Sequence, residues 1–114
     1  MSFTLVPALP AHRPAMGDLW VQSWARTLPE IDFAARRPWL ETHLDQLAAG
    51  GAHIAVALAQ ETVAQETVAQ ETVAGFVVIH PGTGYLDQLA VAPAYWGKGA
   101  AEALMAEARR LSPK

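Results

Sequence analysis

The chain has 114 residues, enough for at most one domain, and its 52% hydrophobic and 17% charged residues allow a buried core. A formal net charge of −3 argues against a nucleic-acid partner, and the absence of cysteine excludes disulfides, thiol catalysis and thiolate metal sites. The start MSFTLVPALP lacks the basic and apolar segments of a signal peptide, and no apolar run is long enough for a bilayer, so the default expectation is a soluble cytoplasmic protein.

In chain order, Ser2 to Leu9 alternates Phe3 and Leu5 with Thr4 and reads as a short strand ended by Pro7 and Pro10. Pro14 suits the first turn of a helix, along which Met16, Leu19, Trp20 and Trp24 recur at helical spacing. That helix should stop near Thr27–Pro29, because Pro29 disfavours helical backbone at Leu28. Trp39, Leu40, Leu44 and Leu47 predict a second helix, closed by Gly50–Gly51.

Beyond Gly51 three strands are expected: His53–Ala59, Gly75–His80 and Tyr85–Val91. Strict alternation in the last would put Tyr85, Asp87, Leu89 and Val91 on one face and Leu86, Gln88 and Ala90 on the other. Gly99–Leu111 is rich in helix formers, with Leu104, Ala108 and Leu111 as its stripe and Arg109 and Arg110 at the negative end of its dipole. The order β-α-α-β-β-β-α describes an α/β (α+β) domain over residues 1–114.

Residues 60–74 are three identical copies of Gln-Glu-Thr-Val-Ala. A helix would rotate each successive Val by about 140°, and a single strand would alternate the Val residues between faces, so neither keeps an apolar side. Removing two copies leaves an ordinary hairpin, HIAVALA-QETVA-GFVVIH, so the repeat reads as duplication within a hairpin. Interchangeable copies permit several registers, and with them an extended or swapped hairpin and a dimer.

The stretch from Leu86 to Leu104, LDQLAVAPAYWGKGAAEAL, carries the chemistry. A strand ends at Val91, turns through Ala92–Tyr95 and enters a helix across Gly97-Lys98-Gly99-Ala100-Ala101. Such a turn aims backbone N–H groups at one point where the helix dipole is positive, and glycines let a phosphate approach. A pyrophosphate suits that geometry. The P-loop pattern fails because Lys98 is followed by Gly99, and the dinucleotide fingerprint fails because a third glycine is missing.

This stretch resembles the acetyl-CoA signature of the GNAT N-acyltransferase superfamily, L-x-V-x-P followed by [QR]-x-x-G-x-[GA]. Leu89, Val91 and Pro93 match the first part, and Gly99 and Ala101 match the second. Trp96 stands where the family usually has Gln or Arg, which removes one polar contact. The resemblance implies a mixed, mostly antiparallel sheet flanked by helices, with acetyl-CoA as co-substrate and an amine as acceptor. It implies that backbone of Leu89, Ala90 and Val91 holds the pantetheine arm. It further implies that Trp96, Gly97, Lys98, Gly99, Ala100 and Ala101 surround the pyrophosphate.

The family's usual route is direct attack by the amine in a ternary complex. Because the chain ends at Lys114, the resemblance also implies a truncated member without the fifth strand, the following helix and its tyrosine. An edge would then be exposed at Tyr85–Val91, open to a second copy. Asp87, on the cofactor strand, is a candidate proton acceptor from the incoming ammonium, and Tyr95 a candidate acid. Glu30 and Asp32 lie where the family commonly meets its acceptor. His12, His43, His53 and His80 show no metal spacing and read as scattered surface or turn residues, while Trp20, Trp24 and Trp39 read as core. The alternative to an enzyme is a non-catalytic or engineered fragment, a CoA-binding or folding and assembly model.

Overall fold

The computed structural model describes residues 3–62 and 69–112, apart from the side chains of residues 60–71. Strands β1 (Phe3–Pro7), β2 (His53–Thr62), β3 (Ala69–His80) and β4 (Tyr85–Val91) form one antiparallel sheet in that order. Helices α1 (Arg13–Thr27) and α2 (Phe33–Ala49) lie between β1 and β2, and α3 (Ala100–Leu111) follows β4. The fold is mixed α/β in the expected order, a four-stranded antiparallel sheet flanked by helices.

Two apolar layers follow from period-two alternation along β2. Val56 and Leu58 face α1 and α2, where they bury with Met16, Leu19, Trp20, Phe33, Leu40 and Leu44. Ala55, Ala57 and Ala59 face the other way and pack with Leu104 and Ala108 of α3. Small side chains on that face let α3 lie close to the sheet. At Gly75 a Cβ would stand 2.9 Å from a Leu104 methyl of α3 and 2.6 Å from the Ala90 carbonyl oxygen of β4.

The helical pair is clasped by Arg37, which binds Asp18, donates to the Pro14 carbonyl at 2.8 Å and lies across Gly17. Helix α2 begins six residues before Trp39, because Asp32 caps it by accepting from the Ala35 N–H at 3.2 Å. Pro38 sits inside α2 near its start and costs the one bond its missing N–H would have made.

Strands β2 and β3 both extend into the repeat, to Thr62 and from Ala69. Its residues pair as Gln60↔Glu71, Glu61↔Gln70 and Thr62↔Ala69, while residues 63–68 lie outside the described residues. The register of β2 against β3 shifts at a bulge where the repeat joins the rest of the hairpin. Ala57 opposes Gly75 and Leu58 opposes Val73, so Ala74 is the extra residue. Val73 thereby packs against the α1–α2 core beside Leu58.

A second bulge corrects the expected faces of β4. Val78 opposes Gln88 and Ile79 opposes Leu86, which leaves Asp87 as the extra residue. Asp87 therefore turns toward α2, on the side where Ala90 packs, and away from the side where Leu89 and Val91 meet α3. Strands β1 and β4 are the two edges of the sheet. Among the described residues, no helix is long and apolar enough to cross a membrane.

Candidate active site

The turn after β4 is tied to β3 by one bond and closed by two short-range ones. Ala92 N–H donates to the Ala74 carbonyl at 2.7 Å, Tyr95 N–H to Ala92 at 2.8 Å, and Trp96 N–H to Pro93 at 3.2 Å. The chain then passes through left-handed backbone at Gly97 (φ +75°) and Gly99 (φ +91°). A Cβ would meet nothing nearer than a Glu102 oxygen 4.0 Å from Gly99, so backbone conformation and not crowding requires these glycines. Gly99 is the N-cap of α3 and brings no capping side chain, so the first-turn N–H groups are left for another acceptor. They border a hollow of about 120 Å³.

Beside it along β4 lies a groove of about 300 Å³, walled by Ser23, Trp24 and Thr27 of α1 and by Leu89–Val91. Val91, Trp96 and Ala101 line both. The Trp96 indole marks their junction, donating from Nε1 to the Val91 carbonyl at 2.7 Å while 46% exposed. Glu102, in the first turn of α3, lines the hollow, and Lys98 stands between the two turn glycines.

Further along β4, about 7 Å beyond Leu89 at strand rise, lies Asp87. Its side chain is 15% exposed and both oxygens are engaged: Oδ1 lies 2.9 Å from Nε2 of His43, and Oδ2 lies 3.3 Å from Nε2 of His80. Burial pushes its carboxyl up, but the hydrogen bonds from His43 and His80, with the charge of His43, outweigh this and hold it below the ordinary value. His43 stacks on Trp39 with centroids 4.7 Å apart, and His80 packs against Tyr85 at 5.5 Å.

His43 and His80, read as scattered, meet on one carboxylate. A signal was present, since His43 falls between Leu40 and Leu47 on the apolar side of α2, and His80 opposes Tyr85 in the β3–β4 ladder. Of the tryptophans only Trp20 is core; Trp39 is 53% exposed and Trp24 lines the groove. Tyr95 is buried and edge-on to Phe3, and Asp32 is used as the cap of α2. Among the described residues, no cluster of His, Asp and Glu could hold a metal ion.

A two-helix excursion, an antiparallel meander, and a glycine turn leading from an edge strand into a helix define an acetyltransferase-type fold. Consistent with this, residues 13–113 match the model of the acetyltransferase (GNAT) family, and the chain belongs to that family. Among solved structures it is similar to the PaiA N-acetyltransferase of Thermoplasma acidophilum in complex with coenzyme A (TM-score 0.71, 16% identity, 97% of this chain and 72% of that one). It is also similar to apo YjaB of Escherichia coli (0.64, 19%, 100% and 69%). A third is YncA of Salmonella typhimurium with its cofactor acetyl-CoA (0.56, 20%, 97% and 65%). The chain thus spans about two thirds of the length of these structures. No curated protein sequence matched.

Proposed function

We propose that the protein is an acetyl-CoA-dependent N-acetyltransferase that acetylates a primary amine by direct attack in a ternary complex. One observation carries the reading: the hollow at the uncapped start of α3 and the groove beside Leu89–Val91 of β4 are neighbours that share Val91, Trp96 and Ala101. Hollow and groove suit the two ends of the co-substrate. The turn from Trp96 through Gly97, Lys98, Gly99 and Ala100 to Ala101 would receive the pyrophosphate, with Lys98 adding positive charge against that of Glu102. Leu89, Ala90 and Val91 present backbone to the pantetheine arm, and the acyl end then points toward the bulge. The coenzyme A and acetyl-CoA complexes of PaiA and YncA support this choice of ligand.

In the reaction the amine nitrogen attacks the thioester carbonyl, the C–N bond forms and the C–S bond breaks. An ammonium must first lose a proton, and the departing sulfur must gain one. Asp87, two residues before Leu89 on β4, is the candidate to meet the incoming ammonium and take its proton, directly or through water. Tyr95 is only 5% exposed and edge-on to Phe3, which favours packing over proton donation. Self-association through the free edge of β4 or a swapped hairpin belongs to the same reading, and sedimentation velocity tests it.

Calorimetric titration with acetyl-CoA, using Gly99→Trp as the control, tests the function. Binding by the parent and its loss in a folded variant supports the cofactor site. No binding by a well-folded parent overturns it. Binding without turnover across a panel of amines would leave a CoA-binding module in place of an enzyme.

A further inference from the structure

Five side chains make an unbroken run across the α2–β4 surface: Trp39, His43, Asp87, His80 and Tyr85. The contacts are 4.7 Å between rings, 2.9 Å and 3.3 Å to the two carboxylate oxygens, and 5.5 Å between rings again. The centre is screened and the ends are open. Asp87 is 15% exposed, whereas Trp39 is 53% and Tyr85 54% exposed. Three elements supply the five residues, and the bulge at Asp87 places the carboxylate between the imidazoles.

A carboxylate flanked by aromatic rings is a receptor for a cation carried on an apolar or aromatic body. The rings attract the ammonium through their faces and cover its hydrocarbon. The carboxylate itself is a poor proton acceptor here, because both oxygens accept hydrogen bonds and its carboxyl is held low. Its hydrogen bonds instead fix each imidazole by Nε2, and fixing one ring nitrogen assigns the other, Nδ1, as the acceptor of a neutral ring. The bond to His43 is the shorter of the two.

We infer that Trp39, His43, Asp87, His80 and Tyr85 form the acceptor subsite, selective for arylalkyl primary amines, with His43 as the proton acceptor and Asp87 as its positioning residue. The inference rests on the acetyltransferase reading for its chemistry. The ammonium gives one proton to Nδ1 of His43, and thence to solvent. The neutral amine attacks the acetyl carbonyl, C–N forms as C–S breaks, and the second N–H proton leaves with the thiolate sulfur as thiol. The titratable groups facing His43 are Asp87 of β4 and, across it, His80 of β3 and Tyr85 of β4; among the described residues no lysine or arginine pairs with Asp87.

The test separates this from the cofactor reading by measuring amine binding without acetyl-CoA. Parent, Trp39→Ala and His43→Gln are titrated with 2-phenylethylamine and n-butylamine, following indole and imidazole NMR signals. The parent should bind the aryl amine about threefold more tightly, and Trp39→Ala, at an exposed position, should erase that preference. Aryl and alkyl amines binding alike, or shifts confined to other residues, overturn the subsite whatever acetyl-CoA does. Where the parent turns over, His43→Gln should lower kcat and remove the acid limb of the pH–rate profile while calorimetric acetyl-CoA affinity stays unchanged. An unaltered profile overturns the proton-acceptor role. Failure of acetyl-CoA to bind the parent sinks the cofactor reading, and the amine titration still decides the subsite.

Discussion

Nε2 of His43 lies 2.9 Å from Oδ1 of Asp87, joining a residue in α2 to one in β4 across 44 positions of sequence. This contact ties the helical layer to the edge of the sheet and gives Asp87 a titration coupled to folding. Its carboxyl is held below the ordinary 3.8, since hydrogen bonds from both imidazoles outweigh the opposing effect of burial. A depressed acid stabilises the fold above its unfolded value, and that stability is lost as pH falls through the lower folded value. Below pH 3.8 the parent should therefore lose stability more steeply than Asp87→Asn. Urea midpoints across an acid series check this, and equal slopes would remove the linkage.

Gly75→Ala should destabilise the protein by about 1–3 kcal/mol, the usual cost of overpacking. The added methyl would meet the Ala90 carbonyl at 2.6 Å and Leu104 at 2.9 Å, and the first of these is backbone that cannot rotate away. A lower urea midpoint at constant slope is the expected result. An unchanged midpoint would mean that β3 and β4 separate at little cost.

Ser112 closes α3 onto the sheet. Its buried hydroxyl donates to the Pro81 carbonyl at 2.9 Å, and its N–H bonds to the Ala108 carbonyl. Ser112→Ala keeps the backbone bond and loses the side-chain one, so a loss of about 1 kcal/mol is expected in thermal or urea unfolding. Ser112→Thr, which retains the hydroxyl, should cost less.

Trp96→Arg should tighten acetyl-CoA binding about fivefold, because a guanidinium beside the turn can bond phosphate oxygens with charge assistance. The substitution also removes the indole bond to the Val91 carbonyl and leaves that acceptor open along the groove. Calorimetry in low and high salt reads both effects. A gain that persists undiminished at high salt would point to the freed carbonyl in place of the added charge.

Much of this protein was legible without coordinates. Element order, the extent of β4 and the glycine turn into α3 follow from local signals: apolar periodicity, prolines that stop helices and glycines that accept positive φ. Helix α2 began early because one side chain, Asp32, caps it, which apolar spacing does not register. The strand faces were harder. Counting by two from Tyr85 assigns Asp87 to the side of Leu89, and a single bulged residue reverses the assignment.

Sequence alone therefore determined what depends on neighbours along the chain: the order of strands and helices and the glycine turn that leads from β4 into α3. Tertiary structure decided what depends on register and packing. The bulge at Ala74 puts Val73 on the α1–α2 side of β3, and the bulge at Asp87 turns its carboxylate toward α2. Only then do His43 and His80, 37 positions apart by their numbers, converge on one acid. Periodicity reports which side of an element is buried; which side chains meet across two elements is set by how the sheet is registered and how the helix lies on it.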